Sequence, residues 1–211
     1  MRKVMVLAAF LTATAAQAEE TVIAALGDSL TQGYGLPAEQ GFVPQLQAWL
    51  DAQGADVRLI NAGVSGDTTA GGLSRAAWTL TPEVDAMIVA LGGNDLLRGI
   101  DPGVSRANLE GILTAADSAG VEVLLVGMQA PGNYGPAFKE AFDAIYPELA
   151  RETGALYAPD FFEGLQVADG DPASVRAFMQ PDGIHPNAEG VARIVEALGP
   201  RVLSLVEKTA P

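Results

Sequence analysis

The fold of this chain is decided by Val84-Asp85-Ala86-Met87-Ile88-Val89-Ala90-Leu91, an almost uninterrupted apolar run of strand length. A strand that is covered on one face alternates apolar and polar residues, whereas a strand inside a parallel sheet is covered on both faces and is apolar throughout. We therefore predict a buried parallel strand over residues 84–91, with helices packed on both faces of its sheet.

Similar apolar runs alternate with helix-like segments on either side of this strand. Strands are predicted at residues 21–26, 57–61, 84–91, 121–128 and 155–158, and helices at about 42–53, 68–80, 104–119, 137–153 and 186–207. Strands that alternate with helices indicate an α/β fold with a parallel sheet. The sequence therefore predicts a three-layer α/β/α sandwich around a sheet of about five strands. Because no break in composition divides it, we expect one domain.

Polar loops that contain glycine follow the first four predicted strands. They comprise residues 27–29, 63–67, 92–95 and 129–135, and a fifth polar group, 182–185, precedes the last helix. Ligands of open parallel sheets bind outside the carboxyl ends of the strands, so these loops are expected to meet at one edge of the sheet. We predict a single functional site there.

The only histidine of the chain, His185, is the candidate base of that site. An imidazole has an ordinary pKa of ~6.5, and a serine hydroxyl needs such a base to become a nucleophile near neutral pH. Ser29 lies in Gly27-Asp28-Ser29-Leu30-Thr31, a predicted strand-to-helix turn that exposes it at a helix N-terminus. Ser29 and His185 are thus the candidate nucleophile and base. The alternative is that Asp28, Ser29 or Thr31 only caps the helix.

Asp182 is the candidate partner of the histidine. It lies three residues before His185, and Gly183 lets the chain turn between them. One short loop can therefore hold the carboxylate against Nδ1 of the imidazole while Nε2 faces the serine, as in a Ser-His-Asp triad. Pro186 disfavours helical geometry at His185 and is predicted to be the first residue of the last helix. The alternative is a capping aspartate beside an incidental histidine.

Gly66 and Asn94 are candidate donors to the oxyanion that forms when an ester carbonyl is attacked. A glycine allows its backbone N–H to approach closely, and an asparagine carboxamide is a neutral donor. The alternative is that both are turn residues, which is our interpretation of the glycine pair 92–93. Asp67 and Asp95 are predicted to act structurally, as a helix cap and a loop-ordering carboxylate respectively.

The composition excludes several kinds of chemistry and partner. There is no cysteine, which excludes disulfides, thiol catalysis and thiolate metal sites, and a single histidine disfavours catalytic zinc. The formal charge of the chain is −14, and it becomes −16 once Arg2 and Lys3 are removed, leaving 10 basic and 26 acidic residues. Such a surface disfavours nucleic acid and anionic lipid as partners. We expect neither a metal nor another cofactor.

Residues 1–18 are typical of a secretory signal peptide. Arg2 and Lys3 are followed by an apolar run, and Ala16-Gln17-Ala18 supplies a cleavage site of the small-x-small kind. The mature domain is predicted to span residues 19–211 and to be periplasmic or secreted. A retained membrane anchor is disfavoured, because the uncharged stretch is shorter than the ~20 residues that cross a bilayer.

Four blocks of the sequence resemble, in order and spacing, those of the GDSL or SGNH hydrolases. They are Gly27-Asp28-Ser29-Leu30, Ser65-Gly66-Asp67, Gly92-Gly93-Asn94-Asp95 and Asp182-Gly183-Ile184-His185-Pro186. The resemblance spans nearly the whole mature chain. It implies a flavodoxin-like α/β/α fold and a catalytic triad of Ser29, Asp182 and His185. It also implies an oxyanion hole formed by the backbone N–H groups of Ser29 and Gly66 and by the Asn94 side chain.

A narrower resemblance concerns the fourth-strand loop and the helix after it. Residues 131–135 and 141–147 are similar to those of the bacterial periplasmic thioesterase, lysophospholipase and arylesterase branch. This resemblance implies acyl-chain contacts at Leu96, Leu97 and Tyr134, with ordinary packing as the alternative for each. The expected partners are small acyl esters or thioesters, and the protein is expected to be a monomer.

Three functions remain open from the sequence. The favoured one is a secreted serine esterase that forms an acyl-Ser29 intermediate. A carbohydrate O-deacetylase of the same superfamily would use aromatic stacking, which two Trp and four Tyr disfavour. A non-catalytic periplasmic protein would hold an anion or a flavin phosphate in the same loops. An ordinary α/β-hydrolase and a phosphate-loop protein are excluded, because neither G-x-S-x-G nor G-x-x-x-x-G-K-S/T occurs.

Overall fold

The computed structural model describes residues 20–165 and 175–209. Within them, five parallel strands form one sheet: β1 Thr21–Gly27, β2 Val57–Gly63, β3 Ala86–Ala90, β4 Glu122–Val126 and β5 Leu156–Ala158. Their order across the sheet is β2-β1-β3-β4-β5, which is the flavodoxin-like order. The predicted parallel α/β/α architecture is confirmed.

The register of the sheet brings the loops after β1, β2 and β3 side by side. Gly27, the last residue of β1, lies opposite Gly63 of β2 on one side and opposite Ala90 of β3 on the other. Every residue of β3 is buried, as its continuous apolar sequence predicts. The paired strand is shorter than the predicted run, since Val84 and Leu91 are buried but lie outside the ladder.

Helices cover both faces of the sheet. On one face α2 Phe42–Ala52 packs against α7 Ala188–Thr209, and on the other α3 Thr69–Thr79, α5 Pro102–Ala119 and α6 Pro136–Thr153 pack side by side. Two short helices begin in the loops at the carboxyl edge of the sheet, namely α1 Ser29–Gln32 and α4 Gly93–Arg98. These two helices carry residues of the predicted site.

The predicted helix at about 104–119 corresponds to α5, whereas the short helix before it, α4, was not predicted. α4 ends at Arg98, and its C-cap is Gly99 with a φ of +62°. α5 follows Asp101, whose side chain accepts a hydrogen bond from the N–H of Gly103, and Pro102 takes its first position. A helix of six residues such as α4 is too short to show a hydrophobic period in the sequence.

Two predictions about where helices begin and how they are capped are wrong. Pro186 is not the first residue of the last helix, because it forms an isolated antiparallel bridge with Met179 and α7 begins two residues later. Asp67 does not cap α3, because the Thr68 hydroxyl accepts a backbone N–H of the first turn instead. The carboxylate of Asp67 is paired with the Arg75 guanidinium at 2.6 Å.

The predicted signal peptide, residues 1–18, lies outside the described residues. Of the helices in the two described ranges, none combines the length and the apolar character needed to cross a bilayer.

Candidate active site

Ser29 is the first residue of α1, in the turn that follows β1. Asp28 is the N-cap of this helix, and its Oδ1 accepts from the N–H of Leu30 at 3.0 Å. Gly27 leaves room for the buried side chain of Thr31, which a side chain at position 27 would overlap. Capping therefore falls to Asp28, while Ser29 lines a cavity.

His185 lies beside Ser29 although 156 residues separate them in the chain. Its Nε2 is 2.9 Å from Ser29 Oγ, and its Nδ1 is 2.7 Å from Asp182 Oδ2. With the proton on Nδ1, that nitrogen donates to the carboxylate while Nε2 accepts from the serine hydroxyl. This is the arrangement in which an imidazole can remove the proton of a nucleophile.

The loop that carries Asp182 and His185 is stabilised by hydrogen bonds between its own residues. Asp182 Oδ1 accepts from the backbone N–H groups of Ile184 and His185, at 2.9 and 3.0 Å. Gly183 makes the turn with a φ of +68°. The His185 side chain and these two N–H groups lower the pKa of the Asp182 carboxyl to about 2, so it stays ionised at any pH at which an imidazole is a free base.

Two further contacts hold His185 and its loop in place, and neither could be predicted from the sequence. The ring of Tyr34 lies against the imidazole, with 4.7 Å between the ring centroids. Gln180 Nε2 donates to the carbonyl oxygens of Tyr34 and Pro186, at 2.8 and 3.0 Å. The Gln180 carboxamide thus connects the segment after α1 to the loop that carries the histidine.

The other two predicted oxyanion donors, Gly66 and Asn94, lie on the wall of the same cavity as Ser29. Gly66 adopts a φ of +84°, and its carbonyl oxygen accepts from Arg98 at 2.8 Å. Among the residues that the structure describes, no backbone carbonyl accepts the Gly66 N–H. Asn94 is the second residue of α4, and its Nδ2 lies 3.2 Å from Asp28 Oδ2.

The carboxyl group of Asp28 is almost completely buried, with 2% of the residue exposed. Loss of solvation raises the pKa of this carboxyl from its ordinary 3.8 to about 6, although hydrogen bonds from the Leu30 N–H and the Asn94 side chain oppose the shift. A buried carboxylate beside the candidate nucleophile was not singled out from the sequence, because helix capping accounted for the residue.

The raised pKa of Asp28 predicts a pH dependence of stability. A carboxyl group whose pKa is higher in the folded than in the unfolded protein contributes most to stability when the pH is below its unfolded pKa. For Asp28 this contribution to stability is lost as the pH rises through about 6. Between pH 7.5 and 4.5 the free energy of unfolding of the wild type should therefore gain about 2 kcal/mol relative to Asp28→Asn. Urea unfolding of both proteins at the two pH values measures this difference. Parallel pH profiles would contradict it.

Asp95 orders the loops around the site, as predicted. It is fully buried, and its carboxylate accepts from the N–H of Thr69 at 2.8 Å, the hydroxyl of Thr69 at 2.6 Å and the hydroxyl of Ser105 at 2.9 Å. One side chain of α4 therefore joins the first turns of α3 and α5. The loops after β2 and β3, which carry Gly66 and Asn94, are held at a fixed separation by these bonds.

A cavity of about 650 Å³ opens at Ser29 and His185. The three residues predicted to contact an acyl chain, Leu96, Leu97 and Tyr134, all lie on its wall; Leu96 is buried, whereas Leu97 and Tyr134 are exposed at the mouth. The other apolar side chains of the wall were not predicted from the sequence: Leu30, Tyr34, Met128, Pro131, Phe162 and Ile184. No local pattern identifies them, because they belong to separate loops.

Within residues 20–165 and 175–209, no three histidine, aspartate or glutamate side chains are grouped closely enough to hold a metal ion. The expectation that activity needs neither a metal nor another cofactor stays a prediction.

Comparisons with known proteins place this chain in the class of serine ester hydrolases. Residues 25–193 match the model of the GDSL-like lipase/acylhydrolase family. The chain belongs to this family, and the resemblance noted from its four sequence blocks is confirmed.

Its similarity to individual members extends over nearly the full length. The chain is 39% identical to Esterase TesA of Pseudomonas aeruginosa over 191 residues, which cover 90% of this chain and 92% of that protein. It is 36% identical to thioesterase 1/protease 1/lysophospholipase L1 of Escherichia coli K12 over 197 residues, or 93% and 89% of the two chains. The crystal structure of the esterase EstA from Pseudoalteromonas, inhibited by monoethylphosphonate, has a TM-score of 0.79 at 30% identity and covers 89% and 99%.

Proposed function

We propose that this esterase hydrolyses small carboxylic esters and thioesters through an acyl-serine intermediate. Ser29 is the nucleophile, His185 is the general base and then the general acid, and Asp182 orients the imidazole. The observation that carries the proposal is the pair of contacts, 2.9 and 2.7 Å long, that links Ser29 Oγ through the imidazole to Asp182 at the mouth of the cavity.

The proposed reaction has two steps. Ser29 Oγ forms a bond to the acyl carbon as its proton passes to His185 Nε2, and the carbonyl oxygen becomes an oxyanion. The bond to the leaving group then breaks, and His185 returns the proton to the departing alcohol or thiol. A water molecule, deprotonated by the same imidazole, attacks the acyl carbon, releases the carboxylic acid and restores the Ser29 hydroxyl.

Three donors are proposed to stabilise the oxyanion: the N–H groups of Ser29 and Gly66 and the side chain of Asn94. Ser29 and Gly66 offer backbone N–H groups at the cavity wall, and Asn94 offers Nδ2. Donors that are already in place for the developing charge need no reorganisation during the reaction, which makes their contribution large. Ionised Asp182 stabilises the imidazolium that forms at the same time.

The substrate class follows from the lining of the cavity and from the relatives. Apolar side chains form much of the wall, which favours an apolar acyl group over a carbohydrate. The names of the two relatives include esterase, thioesterase and lysophospholipase. Inhibition of EstA by a phosphonate also supports an acyl-serine route, because a tetrahedral phosphonate has the shape of the proposed intermediate.

The proposal is tested with a fluorophosphonate probe and a panel of graded p-nitrophenyl esters and acyl-CoA thioesters. We expect covalent labelling of Ser29, located by peptide mapping, and hydrolysis of esters and thioesters in the panel. Labelling at another residue would contradict the assignment of the nucleophile. Folded protein that hydrolyses only acetylated carbohydrates would favour the deacetylase function, and protein that is neither labelled nor active would favour a binding protein.

Asn94→Ala is expected to lower kcat by roughly 10²-fold with little change in KM, because an oxyanion donor acts mainly in the transition state. The measurement is the steady-state kinetics of p-nitrophenyl ester hydrolysis by the wild type and the variant. A raised KM with an unchanged kcat would make Asn94 a substrate-binding residue instead.

We infer that residues 1–18 are a signal peptide and that the mature monomeric domain, residues 19–211, works in the periplasm or outside the cell. The charged start, the apolar run and the Ala16-Gln17-Ala18 site support this inference. The intact mass of exported protein should correspond to a chain that starts at Glu19. A mass that includes residues 1–18 would contradict cleavage.

A further inference from the structure

Asp28 caps α1 with one carboxylate oxygen and faces the candidate oxyanion donor with the other. Oδ1 accepts from the Leu30 N–H at 3.0 Å, and Oδ2 accepts from Asn94 Nδ2 at 3.2 Å. We propose that Asp28 is a positioning residue that holds the Asn94 carboxamide with its second N–H directed at the oxyanion. This inference rests on the proposed function, because it concerns the orientation of a donor assigned there.

The chemistry of the two side chains makes this contact selective. A carboxamide carries two N–H donors on Nδ2 and an acceptor, Oδ1, on the opposite side, whereas a carboxylate only accepts. Asp28 therefore binds the Nδ2 end of Asn94 and repels the Oδ1 end. A carboxamide turned by half a rotation would present its oxygen to the oxyanion and destabilise it. The carboxylate thus selects the orientation in which Asn94 can act as a donor.

Burial makes the contact stronger than a surface hydrogen bond. Only 2% of Asp28 is exposed, so water does not compete for its oxygens, and a hydrogen bond to a charged acceptor is stronger than one between neutral groups. Gly93 leaves room for the approach, because a Cβ at that position would lie 3.3 Å from Asp28 Oδ2. The residue before the donor is therefore one that lets the carboxylate come close.

The contact also joins the nucleophile to the oxyanion donor. Asp28 directly precedes Ser29 in the turn after β1, whereas Asn94 belongs to α4, 66 residues further along the chain. Pairing of β1 with β3 brings these two loops to neighbouring positions, with Gly27 opposite Ala90. A hydrogen bond from Asn94 to the residue beside Ser29 sets the distance between the donor and the attacking oxygen.

Asp28→Asn is the variant that tests the proposal most directly. An asparagine at position 28 keeps an N-cap oxygen for the Leu30 N–H, but it places an NH2 group against the NH2 group of Asn94. We expect kcat for p-nitrophenyl acetate to fall roughly 10- to 100-fold and KM to change by less than about threefold. In the Asn94→Ala background the same substitution should lower kcat by less than about threefold, because no carboxamide is left to orient.

Asp160→Asn is the matched control. Asp160 is another buried carboxylate on the wall of the same cavity, after β5, so the control removes one negative charge from the site. Its effect on kcat is expected to multiply with that of Asn94→Ala. If the effects of Asp28→Asn and Asn94→Ala also multiply, Asp28 acts independently of Asn94 and the proposal is overturned. If Asp160→Asn loses its effect in the Asn94→Ala background just as Asp28→Asn does, charge alone explains the result and the proposal is equally overturned.

Asp28→Ser provides a second variant that does not bring two NH2 groups together. Serine is also a good N-cap, but its hydroxyl is too short to replace Oδ2 at Asn94, so the same loss of effect in the Asn94→Ala background is expected. Near-UV circular dichroism establishes that each variant is folded. Ser29→Ala is measured in the same series: hydrolysis that persists in it contradicts the proposed nucleophile, while the ratios between the position 28 and 94 variants still decide the role of Asp28.

Discussion

Replacing Ser29 with alanine is expected to lower kcat for ester hydrolysis by about 10⁴- to 10⁶-fold, because the oxygen proposed to form the acyl bond is removed. The fold should be unaffected. Asp28, and not Ser29, supplies the cap of α1. The Ser29 hydroxyl is hydrogen-bonded to the candidate base, His185. Steady-state kinetics and thermal unfolding of the same preparation measure both expectations.

Ser65→Ala is the matched control for this substitution. Ser65 also lies on the wall of the cavity, but its Oγ donates to the Gln32 carboxamide oxygen at 2.9 Å, whereas the Ser29 hydroxyl contacts the imidazole. We expect its kcat to stay within about threefold of the wild type. Folded Ser29→Ala protein that keeps more than about a tenth of the wild-type kcat would show that Ser29 is not the nucleophile.

Replacing His185 with alanine is expected to cause a loss of similar size, about 10⁴- to 10⁶-fold in kcat. The imidazole is the only group of its kind in the chain, and its Nε2 lies 2.9 Å from the serine hydroxyl. Without it, the proposed mechanism offers no acceptor for the hydroxyl proton as the acyl bond forms. Asp182 would then retain its two backbone hydrogen bonds but would have no imidazole to orient.

The double variant Ser29→Ala/His185→Ala separates a catalytic unit from two independent residues. Members of one unit fail together, so the double variant should be no less active than the poorer single variant, within about threefold. A product of the two separate losses would mean that Ser29 and His185 act in different steps. His185→Ala protein with more than about a tenth of the wild-type kcat would remove the histidine from the role of base.

The layers of the fold could be predicted from the sequence because a strand that is buried on both faces consists almost entirely of apolar residues. The run at 84–91 is apolar except for Asp85, and β3 within it is buried at every residue. The ends of elements could not be predicted as well, because they depend on single hydrogen bonds. Thr68 rather than Asp67 caps α3, and nothing in the order of two adjacent polar residues tells which side chain points at the helix.

The candidate site was predictable where a residue type is rare or a spacing is short. A single histidine three residues after an aspartate leaves few alternatives for the imidazole's partner. In the structure His185 Nδ1 lies 2.7 Å from Asp182 Oδ2. Contacts between loops that are distant in the chain could not be predicted from the sequence. The ring of Tyr34 on the imidazole and the bond from Asn94 to Asp28 depend on side-chain directions that only the packed sheet determines.

The separation of 156 residues between Ser29 and His185 has a consequence for the order of events during synthesis. Ser29 leaves the ribosome with the first strand, and the proposed base follows only with the last loop, just before α7, which packs against α2. A chain interrupted at any point before residue 185 carries the proposed nucleophile without the proposed base. The rate at which hydrolysis recovers during refolding therefore reports how fast the C-terminal segment docks. This recovery should be slower than formation of the central strands.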